Sequence, residues 1–133
     1  MDLIKTIRAN LVADTDITDL VSAVNIRVHD NPVNTATKQI LLEETFGKSD
    51  SVLNVESGIF TIWVYVRDSV DEPYKTLKQI KTAVLSCLDK KNESLKDSDS
   101  FVRHFVKSSG EPIHSNGERY WMATLVFDYI VGE

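Results

Sequence analysis

Three histidines, His29, His104 and His114, and one cysteine, Cys87, are the residues of this 133-residue chain best suited to metal or nucleophilic chemistry. No two of the histidines have the short spacing that brings two ligands onto one metal, and a single thiol cannot complete a zinc set. Cys87 falls on or beside an apolar helical stripe, so a buried, inert thiol is expected rather than an exposed thiolate in an electropositive setting. The adjacent acids Glu43-Glu44 and Asp71-Glu72 point to opposite faces or sit at a helix start, and neither makes a general acid/base pair. Gly47-Lys48-Ser49 matches the end of a phosphate-binding loop, but the first glycine of that pattern would fall at Leu42. Asp14-Thr15-Asp16 matches the opening of a calcium loop, yet Asp19 stands where the glycine belongs and Asn25 where the glutamate belongs. Asn92-Glu93-Ser94 is a glycosylation sequon that means little without a secretory signal. The expectation is no catalytic residue, no metal, no cofactor and no enzymatic activity.

The elements themselves therefore carry the argument. Residues 57–67, Ser-Gly-Ile-Phe-Thr-Ile-Trp-Val-Tyr-Val-Arg, read as a strand near the middle of a sheet, rich in β-branched and aromatic residues and free of proline. Phe60, Ile62, Val64 and Val66 point one way; Ile59, Thr61, Trp63 and Tyr65 point the other. Both faces are bulky, so one suits a helix and the other a second layer or another subunit. Leu3, Ile4, Ile7 and Leu11 form the stripe of an N-terminal helix. A second helical piece is expected at 17–24, with Ile17, Leu20, Val21 and Val24 apolar and Thr15 or Asp16 as cap. A short strand follows at 26–29, a polar loop at 30–37, a strand at 39–46 and a turn at 47–50. The longest helix starts around Pro73, with Asp71 as cap and Tyr74, Leu77, Ile80, Val84 and Leu88 at helical spacing.

Residues 89–100 read as a mobile, charged link. Beyond it, Asn116-Gly117 is the preferred pair for a two-residue type I′ turn, and 101–115 and 118–132 are equal in length. One long hairpin is expected, with room for a bulge at Ser108-Ser109-Gly110 that would leave the parity of Phe101/Phe105 against Val102/Val106 open; the competing reading treats 108–118 as a plain loop. Its second arm alternates Trp121, Ala123, Leu125, Phe127 and Tyr129 with Tyr120, Met122, Thr124, Val126, Asp128 and Ile130. The fold class is α+β: a single domain over 1–133, its mostly antiparallel sheet covered by one long helix plus an N-terminal helix, with a long C-terminal β-hairpin.

Net charge is −5, which argues against a general nucleic-acid binder, and no apolar run approaches the ~20 residues of a membrane span. The opening Met-Asp-Leu-Ile-Lys lacks the order of a signal peptide and one cysteine fits a reducing compartment, so synthesis in the cytoplasm is expected. Trp63, Tyr65, Trp121, Phe127 and Tyr129 read as core first, subunit interface second and ligand pocket third. The expected interface comprises Trp63, Tyr65, His114, Asn116, Gly117, Tyr120 and Met122. The rival expectation is a small α+β enzyme or ligand-binding domain with an aromatic pocket.

The opening helix over 1–14, the strand 60–66 followed by the helix 74–88, and the closing strand 120–131 together resemble small neck proteins of long-tailed bacteriophages. The nearest resemblance is to the tail terminator, or tail-to-head joining, family. It covers most of the chain in pattern and length, without a diagnostic motif; the link 89–100 and the long hairpin depart from the family pattern. The resemblance implies a ring, usually of six subunits, in the virion neck, assembled in host cytoplasm. Its partners would be copies of itself, the tail tube protein and the head connector, with DNA passing through without specific binding. An acidic chain suits a channel through which DNA must slide.

Overall fold

The computed structural model describes residues 3–28, 31–33, 35–50, 55–91, 96–97, 100–109 and 111–132. Helix α1 spans Leu3–Ala13 and buries the expected stripe of Leu3, Ile4, Ile7 and Leu11. Its wet side is used as well: Arg8 donates from Nε to the Ile26 carbonyl at 2.7 Å and from Nη2 to the Ala23 carbonyl at 3.2 Å. Those bonds hold down the 3-10 turn Ala23–Asn25.

The second helical piece is shorter than expected and its cap lies earlier. Helix α2 is a single turn, Thr15–Thr18, capped by Asp14, whose carboxylate accepts from the Asp16 N–H at 2.9 Å. Ser22, with ψ 142°, is extended and ends the helical track. Ile17 and Val21 are buried, but Val24 is 77 % exposed.

Among the described residues seven strands form one sheet, in the order β1-β2-β3-β7-β5-β4 with β6 against β7. Their bounds are β1 Ile26–Val28, β2 Lys38–Asp50, β3 Val55–Arg67, β4 Lys96–Asp97, β5 Ser100–Ser109, β6 Ile113–Ser115 and β7 Tyr120–Gly132. Every pairing is antiparallel except β1 with β2. The expected turn at 47–50 is strand instead: Gly47 through Asp50 pair with Gly58 through Val55. The central strand lengthens to match, and one residue of β2 is left unpaired between Glu44 and Phe46, a bulge.

Helix α3, Pro73–Lys91, opens on the expected proline. Asp71 is not the residue next to it; Glu72 holds that place at φ 47°, a left-handed backbone uncommon for a side chain of its kind. The Glu72 carbonyl accepts from the Thr76 N–H at 3.0 Å, closing the first turn. Helix α3 lies over β3 and β7 and α1 lies over β1 and β2, all on one face. Beneath them Phe60 stacks on Phe127 at 4.7 Å between centroids, with planes 5° apart, and Tyr129 tilts against the pair. Leu77, Ile80, Val84, Cys87 and Leu88 close this core from the helix side. Among the described residues no helix is long and apolar enough to cross a membrane.

The hairpin pairs Phe101 with Gly132, as the equal arms require. The turn differs: Asn116–Arg119 form a four-residue loop in which the Arg119 N–H reaches the Ser115 carbonyl at 2.8 Å and Arg119 takes φ 59°. A type I′ turn needs positive φ at both central residues, and Gly117 has none. Two register shifts absorb the difference, one between Val106 and Ser108 and one between Ser109 and Ile113, which divides the first arm into β5 and β6. The register also settles the parity: Val106 stands opposite Phe127 and Phe105 opposite Asp128. Part of the charged link 89–100 lies outside the described residues; Lys96–Asp97 within it pair with Phe101 and Ser100.

Candidate assembly surface

The face of the sheet turned away from the helices follows from strand alternation. Leu41 of β2 pairs with Trp63, Trp63 with Thr124, and Tyr65 with Met122, so these residues lie side by side. Ile59, Trp63, Tyr65, Tyr120, Met122 and Val126 are half-buried, and Leu41 and Thr61 on the same face are buried. Glu43 and Asp128 are exposed and mark the polar margin. The result is an apolar and aromatic patch with a charged rim, the usual composition of a subunit contact.

One end of this face is locked. Gln39, 1 % exposed, accepts at Oε1 from the Val33 N–H at 2.9 Å and from Arg27, and donates at Nε2 to the Val33 and Ala36 carbonyls at 2.9 and 3.2 Å. Arg67 donates to the Val33 carbonyl at 3.1 Å and to the Glu118 carbonyl at 2.9 Å, while its guanidinium lies 5.6 Å from the Tyr120 ring centroid. The loop after β1 and the hairpin tip are thus tied to the end of β3. Gln39→Ala should cost about 2 kcal/mol, because the Val33 N–H loses its acceptor and the Val33 and Ala36 carbonyls each lose a donor. Limited proteolysis should then open the chain between β1 and β2; unchanged stability and cutting pattern would contradict this.

Tyr65 meets Tyr120 edge-on at 5.1 Å. Burial first, and the neighbouring Tyr120 phenol second, raise Tyr65 above the usual phenol value of 10.0. The folded chain therefore keeps this proton more firmly than the unfolded chain does. Its contribution is complete below pH 10.0 and declines as pH rises through the raised folded value. Chemical denaturation from pH 8 to 11 should show a steeper loss for the wild type than for Tyr65→Phe; equal slopes would contradict the placement.

The expected interface residues divide. Trp63, Tyr65, Tyr120 and Met122 come together on the open face, and Asn116 and Gly117 are exposed at the hairpin tip. His114 lies opposite Trp121, on the helix side. Its Nε2 is 2.9 Å from both carboxylate oxygens of Asp68, and its ring is 4.9 Å from Trp121, which in turn meets Tyr74. The hairpin is also not overlong for its own sheet: β3 pairs with β7 from Arg67–Tyr120 to Val55–Gly132, residue for residue.

The aromatic set does not gather into one pocket. Phe127 and Tyr129 are core, Trp121 packs against it, and Trp63 and Tyr65 lie on the far side of the sheet. A groove between α2 and α3 lies elsewhere, lined by Asp16, Leu20, Lys75, Lys78 and Ala83 among others. Cys87 is buried, with its thiol 3.7 Å from the Asn10 carbonyl. His29 lies outside the described residues, and His104 stands opposite Tyr129 in β5. Among the described residues no three of His, Cys, Asp and Glu come together. Sequence reasoning missed Gln39 and Arg67; Gln39 follows Lys38 at the start of its strand and carries no signal of burial.

No protein-family model matches the chain, and no curated protein matches it by sequence. Among solved structures, a chain of the virion of a native gene transfer agent particle superimposes with a TM-score of 0.75, over 98% of this chain and 95% of that one, at 19% sequence identity. What the two chains share is the whole fold, from α1 to the closing strand.

Proposed function

We propose that this chain is a structural subunit of a phage-like virion, a neck protein that forms a ring on the end of the tail tube and joins it to the head connector. The observation that carries this reading is the half-buried apolar face around Trp63, Tyr65, Tyr120 and Met122, on the side of the sheet away from the helices. A lone domain of this size leaves few such faces open, and an assembled one buries them. The fold likeness to a virion component supports the same reading over nearly the full length of both chains.

In this reading the chain is not an enzyme, and its partners are copies of itself, the tail tube and the connector. Six copies is the number the resemblance implies. The net charge of −5 suits a ring that DNA traverses without being held. The rival pocket reading loses its basis because the aromatic set is divided by the sheet. Particles produced without this chain should have tail tubes of uneven length and heads that remain unjoined. Tubes of uniform length on joined heads would contradict the proposal.

A further inference from the structure

Among the described residues the sheet has two outer edges, and each is paired only in part. On β2, strand β1 pairs with Ile40–Leu42, which leaves residues 43–50 with no outer partner among the described residues. On β5, strand β4 pairs with Ser100 and Phe101, which leaves 102–109 in the same condition. The two open stretches are eight residues each. Open backbone of this length is a template for another strand.

The registers place the two stretches level with each other. Val102 of β5 stands opposite Val131, Val131 opposite Glu56, and Glu56 opposite Ser49 of β2. At the other end Ser108 stands opposite Val126, Val126 opposite Thr61, and Thr61 opposite Glu43. Strand directions fit as well. β5 is antiparallel to β7, β7 to β3 and β3 to β2, so β5 of one copy would meet β2 of the next antiparallel. Between those ends Arg103 stands opposite Ile130, Ile130 opposite Ser57, and Ser57 opposite Lys48.

From these registers we infer that the occupant of each open edge is the other edge of a second copy: residues 102–109 of one chain add to residues 43–50 of its neighbour and continue the sheet from subunit to subunit. The contact is heterologous, one donor edge to one acceptor edge, which generates a ring where the rotation closes. Backbone hydrogen bonds supply the contact, as in other strand additions. This inference rests on the ring reading and assigns the join to the sheet edges, leaving the open face to the rest of the assembly.

Cysteine pairs test it. Neighbouring antiparallel strands bring Cα atoms to about 4.5–5.5 Å, within disulfide reach. Glu43→Cys/Ser108→Cys and Lys48→Cys/Arg103→Cys each place both thiols on one expected rung, and the native Cys87 stays buried. Oxidation of the assembled protein should give a reducible ladder of covalent multimers up to the ring size. Each single variant should stay monomeric on a denaturing gel, and a mixture of the two singles should stop at dimers. Loss of assembly in both pairs, with unchanged circular dichroism, would also put these edges in the contact. A ring without a ladder from either pair overturns the edge join and leaves the ring reading intact. A wild-type chain that remains a monomer overturns both.

Discussion

Phe60→Ala lowers the stability of the folded chain by about 4 kcal/mol, the range for emptying an aromatic site in a core that cannot collapse around it. Phe60 is wholly buried, stacked on Phe127 and tilted against Tyr129, at the centre of the sheet. The loss combines transfer of the ring to water, the ring contacts themselves and the void left under α3. Leu77→Ala, on the helix side of the same core, should cost about 3 kcal/mol. Lys78→Ala, one residue along and exposed, should stay within about 0.5 kcal/mol of wild type. Since a domain of this kind has roughly 5–15 kcal/mol in total, the first two should shift a urea midpoint visibly. Equal midpoints for Leu77→Ala and Lys78→Ala would mean that the buried face of α3 has been misassigned.

Trp63→Glu should abolish the contact made through the open face and leave the monomer folded. Trp63 sits mid-face, between Leu41 and Thr124 in the sheet, and is only half-buried in the single chain. A glutamate there remains hydrated while the chain is alone, so the cost to the fold is small. In the assembly the same carboxylate would be taken out of water with no cation placed to meet it. Removing a central aromatic anchor costs about 2–4 kcal/mol per contact, roughly 30- to 1000-fold in affinity. Sedimentation would report the assembly and circular dichroism the fold. Wild-type assembly in the variant would remove the open face from the contact.

The two kinds of surface differ in how far they could be read from sequence. Core positions were legible because burial imposes a period: Leu3, Ile4, Ile7 and Leu11 at helical spacing, and Phe60 to Val66 at alternate positions, could face only one way. The open face was legible for the same reason, since Trp63 and Tyr65 had to lie opposite the core residues of β3. Boundaries were less so. Gly47–Asp50 has turn composition, but β3 extends to Val55 and carries β2 with it by pairing. Asn116-Gly117 favours a two-residue turn, yet the hydrogen bond from Arg119 to Ser115 and the shifts in β5 make a four-residue loop. His114 was grouped with the tip because its neighbours in sequence are exposed. One strand pairing with Trp121 turned it toward the helices and Asp68. Open edges have no composition of their own, so the level stretches of β2 and β5 appear only once the registers are known.

The mass of the purified chain in solution tests the central claim most directly. Light scattering on the eluting protein, with negative-stain images of the same fraction, should give a discrete multiple of 15.0 kDa and particles with a central hole. A single species of 15.0 kDa at micromolar concentration, with no rings in the images, would contradict it.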